Sequence, residues 1–193
     1  PDNQANGEDR EQRDKAYFPD MVAYADKIVG RIVEALDELG LRGNTLLLFT
    51  GDNGSPSGIS SRLGRRVIDG GKGHTTEAGT HVPLIANWKG TISGGQTCGD
   101  LIDFSDFLPT LLHISEGKLP VDTVLDGRSF APQLLRRAGN PRDWIFCHYD
   151  PRWGGWEPKR YAQTKKWKLY DSGQIFNILS DPDELCPLYL ESL

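Results

Sequence analysis

Cysteine is scarce in this chain. Cys98, Cys147 and Cys186 are the whole complement, odd in number and far apart. That excludes a dense disulfide framework and any CxxC metal spacing. One pair could form, and the sequence does not choose it. Long apolar runs are missing as well: none approaches the roughly 18 consecutive apolar residues of a membrane-spanning helix. No signal-peptide pattern opens the chain, so its compartment is not written here. A surplus of positive charge is also absent. The net charge of −5 argues against a nucleic-acid partner, whose phosphates require a basic face. There is no GxxxxGK[ST] phosphate loop, no internal repeat and no low-complexity tract.

What remains is an ordinary globular composition, 37% hydrophobic and 25% charged over 193 residues. That length supports one good core, burying roughly 70% of the unfolded surface. The organisation reads as a polar segment over 1–16, an α/β core over 17–140 and a small β subdomain over 141–193. The opening Pro1 to Lys15 is polar and is expected to be an exposed loop or a cut point.

From Tyr17 to Leu41, Met21, Ala25, Ile28, Ile32, Ala35, Leu36 and Leu39 recur at three- and four-residue steps. This predicts a helix with one face on a core, Pro19 in its first turn and Gly40 as its stop. Thr45 to Thr50 is continuously apolar, the pattern of a strand buried on both faces, which favours a parallel sheet covered by helices. Val82 to Trp88 reads as a second strand entered through Pro83. Asp103 to Ile114 reads as a helix shortened or kinked by Pro109, with a short helix following around Pro132 to Arg137. After Asn140-Pro141, short runs at Trp144 to Tyr149, Tyr161 to Thr164, Trp167 to Asp171 and Gln174 to Leu179 predict a small antiparallel sheet. Ser172-Gly173 forms a hairpin turn there, and the acidic turn Ser180 to Glu184 closes the sheet.

The chemistry concentrates in two glycine-flanked motifs. In open α/β sheets, ligands bind beyond the carboxyl ends of the strands. Gly51-Asp52-Asn53-Gly54 follows the first strand and offers a carboxylate and an amide oxygen, hard donors suited to Ca²⁺ or Mg²⁺. A plain Asp-Asn-Gly turn is the alternative, and two donors cannot complete a calcium shell of six to eight oxygens. The second motif, Gly70 to Gly79, sets Lys72 between glycines that let backbone approach a ligand while the ammonium faces it. An exposed loop with a solvated lysine is the alternative.

His74 on that loop could donate a proton or bind an anion. His81 reads as structural and His113 as a surface or capping residue. His148 lacks nearby partners for a metal. Arg62, Arg65 and Arg66 lie between the motifs with Asp69 as their one acid, either a solvated loop or a basic rim around a small anion. Arg152, Trp153, Gly154-Gly155 and Trp156 form either a substrate-facing loop or packing for the tail sheet.

Taken in order, these motifs resemble the C-terminal portion of a type I, formylglycine-dependent sulfatase of the alkaline-phosphatase-like superfamily. The residues carrying the resemblance start with Asp37-Glu38-Leu39-Gly40-Leu41, Asn44-Thr45 and Phe49-Thr50-Gly51-Asp52-Asn53-Gly54. Gly71-Lys72-Gly73, Thr76-Glu77-Ala78-Gly79-Thr80-His81-Val82-Pro83 and Asp103-Phe104-Ser105-Asp106-Phe107-Leu108-Pro109-Thr110 continue it. Leu125-Asp126-Gly127-Arg128-Ser129-Phe130, Lys168-Leu169-Tyr170 and Asp181-Pro182-Asp183-Glu184 complete it. Each motif is modest in specificity, but their order and spacing over residues 17–188 are strong.

The resemblance implies an α/β fold, namely part of a helix-covered, mostly parallel core with a small C-terminal antiparallel sheet. It implies a sulfuric ester hydrolase with one divalent cation, usually Ca²⁺, ligated in part by Asp52 and Asn53. Lys72 would contact the sulfate, and His74 stands where many relatives carry threonine or serine. The substrate class would be a small sulfate ester or a sulfated sugar, and the compartment periplasmic, secreted or lysosomal.

The Cys-x-Pro-Ser-Arg or Ser-x-Pro-Ser-Arg motif that yields the formylglycine nucleophile is not among these residues, nor is the family's N-terminal aspartate pair. The chain reads as a sulfatase that begins partway through, with the formylglycine expected in an N-terminal part and no activity expected of these residues alone. Phosphoester or phosphonate hydrolysis within the same superfamily, or a non-catalytic module retaining the fold, are the alternatives.

Overall fold

The structure is a computed structural model that describes residues 7–119, 121–152 and 155–189. It divides into two units, residues 1–90 and 91–193. The first is built from a long helix, α1 (Gly7–Glu38), and the strands β1 (Leu47–Thr50), β2 (Ser60–Leu63), β3 (Arg66–Asp69) and β4 (Leu84–Asn87). A single-turn helix, α2 (Glu77–Thr80), precedes β4.

Helix α1 starts at Gly7 rather than Tyr17, so the stretch expected to be loop is partly helical. Apolar periodicity marks only the part of a helix that faces a core. The added turns are rich in Glu, Arg, Gln and Lys, residue types of good helix propensity that need no core to favour the helix.

The apolar stripe itself does not pack as expected. Met21, Ile28, Ile32 and Leu39 are exposed, Met21 by 63%, while Phe18, Val29, Val33 and Leu36 are half-buried. Instead the helix is fastened at its end. Asp37 pairs with Lys89 at 2.5 Å, the buried Arg42 donates to Asn87 Oδ1 at 2.5 Å, and the Trp88 indole donates to Gly43 O at 2.9 Å.

The mostly parallel sheet is not seen. β1 pairs with β4 antiparallel, Leu47 opposite Asn87 and Thr50 opposite Leu84, and every strand pair among the described residues is antiparallel. The apolar run predicts burial on both faces, but β1 is half-buried with Phe49 exposed, and such a run carries no information on direction. The path from β1 to β4 contains a hairpin and the four-residue α2, not the long crossover helix that a parallel return needs.

In the second unit, a 3-10 turn at Phe104–Asp106 leads into α3 (Phe107–Ser115), and α4 (Ala131–Leu134) follows. Pro109 does not kink α3. It sits in the first turn, where a missing N–H costs nothing because that donor has no intrahelical acceptor. The predicted antiparallel sheet is present as β5 (Ile145–Tyr149), β6 (Lys159–Gln163), β7 (Trp167–Tyr170) and β8 (Gln174–Asn177), with β9 (Leu188–Tyr189) added at its edge. Its core is Tyr161, Tyr170, Phe176 and Ile178.

Candidate functional site

The candidate residues all lie in the first unit. β1 ends at Thr50, and the chain leaves it through Gly51 to Gly54. This segment lies directly against the lysine loop. The Gly54 N–H donates to Gly79 O at 2.9 Å, and the Lys72 N–H donates to Ser55 O at 2.9 Å. Contact is so close that side chains are excluded: a Cβ on Gly54 would stand 1.9 Å from the Ala78 carbonyl oxygen, and one on Gly79 would stand 2.1 Å from that of His74. The two glycine motifs, separate in the sequence, are therefore one clasp, held by backbone.

Within the clasp, the His74 N–H donates to Gly71 O at 2.8 Å, closing a turn with Lys72 and Gly73 at its centre. Gly73 has φ 88°, as the third position of a type II turn requires. Lys72 thus projects from a turn apex and is exposed, with no ion pair among the described residues. His74 is exposed on the same turn, and Thr75 behind it is buried. His81 accompanies Glu77 one helical turn earlier, Nδ1 to Oε2 at 2.9 Å. That hydrogen bond outweighs burial and raises the imidazole above its ordinary value, in keeping with a structural histidine.

Asp52 is exposed and Asn53 half-buried. If they only shaped a turn, a side-chain oxygen would accept a nearby backbone N–H. Neither does: among the described residues both side chains are without hydrogen bonds or ion pairs. Two adjacent hard oxygen donors thus remain available, which fits partial ligation of Ca²⁺ or Mg²⁺. No group of three His, Cys, Asp or Glu able to hold a metal occurs among the described residues.

Arg62, Arg65 and Arg66 share one element. They ride on the β2–β3 hairpin, which the sequence analysis missed although Leu63-Gly64-Arg65-Arg66 carries its turn signal. Trp153 and Gly154 of the tryptophan loop lie outside the described residues. All three cysteines are free, and burial pushes the Cys147 thiol up. His113 meets Ser129 Oγ at 3.0 Å, a surface contact.

Comparison with known proteins matches the Sulfatase family model over residues 1–117, a span that holds all four candidate residues. The chain belongs to the sulfatase family. Human arylsulfatase A is 36% identical over 139 residues, covering 72% of this chain and 27% of that protein. Mouse steryl-sulfatase is 35% identical over 156 residues, covering 78% of this chain and 24% of that protein. The crystal structure of Ps i-CgsB in complex with k-i-k-neocarrahexaose superposes with a TM-score of 0.69 at 25% identity, covering 93% of this chain and 38% of that one. This sulfatase chain therefore spans about a quarter of the length of the curated relatives it matches. The α/β fold expected from the resemblance is the fold of the family, and no described helix is long and apolar enough to cross a membrane.

Proposed function

We propose that this chain is part of a sulfuric ester hydrolase, to which it contributes two metal ligands and a sulfate-binding lysine. The observation carrying the reading is the clasp, because it fixes the Asp52-Asn53 turn and the Lys72 turn against each other through the hydrogen bonds at Gly54 and Lys72. Asp52 and Asn53 would hold one face of a Ca²⁺ or Mg²⁺ ion, which when bound stabilises negative charge on the sulfuryl oxygens. Lys72 binds one of those oxygens and keeps the group oriented for displacement. His74, on the same turn, would offer a proton to the leaving alcohol.

The nucleophile is expected from residues outside this span, as the formylglycine of the family, and these residues alone would not turn over. Sulfated sugars or small sulfate esters are the substrate class. The Ps i-CgsB structure with its bound neocarrahexaose supports the sugar reading.

A unit charge at about 4 Å contributes about 1 kcal/mol in water and about 4 kcal/mol at an effective dielectric of 20. Lys72→Ala in the complete enzyme should therefore lower kcat/KM by at least tenfold, about 1.4 kcal/mol. Hydrolysis should also require added Ca²⁺ or Mg²⁺ after chelation. An unchanged kcat/KM in the Lys72 variant would remove it from the site.

A further inference from the structure

The chain is acidic overall, yet the β2–β3 hairpin is basic. It carries Arg62, Arg65 and Arg66 against Asp69, whose carboxylate already accepts from Ser60 Oγ at 2.6 Å. Some exposed cations are paired with neighbours: Lys89 with Asp37 at 2.5 Å, Lys165 with Asp100 at 2.9 Å and Arg152 with Asp150 at 3.3 Å. Arg62 and Arg65 are exposed and take no such partner among the described residues. Their charges are not consumed by the fold.

The hairpin is anchored where it leaves the lysine loop. The Gly70 N–H donates to Ile59 O at 2.7 Å, Ile59 is buried, and Lys72 follows two residues on, itself bound to Ser55. Gly64 at φ 61° makes the two-residue turn at the tip, and Arg65 completes it. Four residue pairs at about 3.4 Å each carry Arg65 about 10–13 Å from that root. This exceeds the Debye length of about 8 Å at physiological salt, so Arg65 adds little to the field at the root, whereas Arg62, two pairs out, lies about 7 Å from it. Arg65, beyond that screening length, acts by touching a second anionic group, with Arg62 beside it on the same arm. Guanidinium is suited to that, since its planar fork takes two oxygens of a sulfate or carboxylate at once.

Resting on the sulfatase reading above, we propose that the β2–β3 hairpin is a specificity arm. In it Arg62 and Arg65 bind anionic groups on an oligosaccharide substrate, on sugars beyond the one that loses its sulfate. The enzyme therefore prefers an extended, multiply charged chain over a small monosulfate.

The test uses the complete enzyme, the double variant Arg62→Ala/Arg65→Ala, and two probes: a heparin hexasaccharide and 4-nitrophenyl sulfate. The Kd for the hexasaccharide should rise at least fivefold in the variant, with a flatter dependence on salt, while kcat/KM on 4-nitrophenyl sulfate stays within twofold. Arg62→Lys/Arg65→Lys should restore the salt dependence. An unchanged hexasaccharide Kd overturns the arm, and so does an equal loss on both probes. If the parent enzyme cleaves neither ester while hexasaccharide affinity still depends on the two arginines, the arm stands and the hydrolase reading falls.

Discussion

Around Gly54 and Gly79 the chain is held together backbone to backbone, and Asp52, Asn53 and Lys72 are left without partners among the described residues. Around Asp106 the arrangement is reversed. Its carboxylate, only 1% exposed, accepts from Arg142 Nε at 2.8 Å and Nη2 at 2.5 Å, from the Arg128 N–H at 2.6 Å and from the Asp103 N–H at 2.9 Å. Arg142 further donates to Asp126 O at 2.9 Å, so one ion pair joins the start of α3 to two later loops. A third region repeats that logic. Lys168, fully buried, meets Glu184 Oε1 at 2.8 Å and lies 4.0 Å above the Tyr161 ring, while the Tyr170 hydroxyl donates to Glu184 Oε2 at 2.6 Å.

Charges that hold a fold are saturated with internal partners, because an unpaired buried charge costs several kcal/mol. Charges that meet a ligand must be left wanting, so the fold that carries them has to be held by something else. On the proposed reading, that something is the glycine backbone at Gly54 and Gly79.

The contrast can be broken at either end. The largest effect is expected from Gly79→Ala, whose Cβ would stand 2.1 Å from the His74 carbonyl and 2.5 Å from that of Gly71. Backbone must move on both sides, so the complete protein should lose about 4 kcal/mol in urea unfolding, together with its hydrolytic activity. A loss below about 1 kcal/mol would show that the clasp can open without consequence.

Arg142→Ala should cost about 3 kcal/mol by orphaning a buried carboxylate. It should also change acid sensitivity. Burial pushes the Asp106 carboxyl up, but the Arg142 guanidinium and the Arg128 and Asp103 N–H groups outweigh it and hold the group below the ordinary carboxylate range. With a folded value below the unfolded one near 3.9, this stabilisation is present above that pH and lost as pH falls through the folded value. Without Arg142 the balance tips toward burial, so acid unfolding should begin at higher pH. Identical acid transitions in the two proteins would refute the assignment.

Glu184→Ala orphans Lys168 in the same way, but the tyrosine rings still face the ammonium. About 2 kcal/mol is therefore expected in thermal unfolding, with retained sulfate hydrolysis. At the other end, Lys72→Ala, expected to lower kcat/KM on the proposed reading, should change stability by less than about 0.5 kcal/mol. A large stability loss there would erase the distinction between the two kinds of charge.

Much of this architecture is legible in the order of the residues. The three- and four-residue apolar steps of α1, the run Thr45 to Thr50 ending in Asp52 and Asn53, and the Ser172-Gly173 turn between β7 and β8 are signals written within a few residues. They report local conformation and nothing beyond it. Three features are not legible there. The exposed stripe of α1 shows that periodicity marks which face a helix is built to bury, without saying what covers it. The hairpin that carries the arginines between the motifs is read as loop, because its strands are short and polar. The acidic turn at Ser180 to Glu184 has the composition of plain surface, although Glu184 is the buried counter-charge of Lys168.

By itself, then, the sequence determined the kinds of element, the donor chemistry of Asp52 and Asn53, and the ordered motifs that mark a sulfatase. These depend on dihedral preference, side-chain type and spacing, all properties of neighbouring residues. Only the tertiary structure decided that β1 and β4 run antiparallel, that Gly54 meets Gly79, and that Lys72 is exposed while Lys168 is buried. Those outcomes depend on contacts between residues far apart in the chain. Such contacts are set by the path of the intervening segment and by where each charge can find a partner, and no local pattern encodes either.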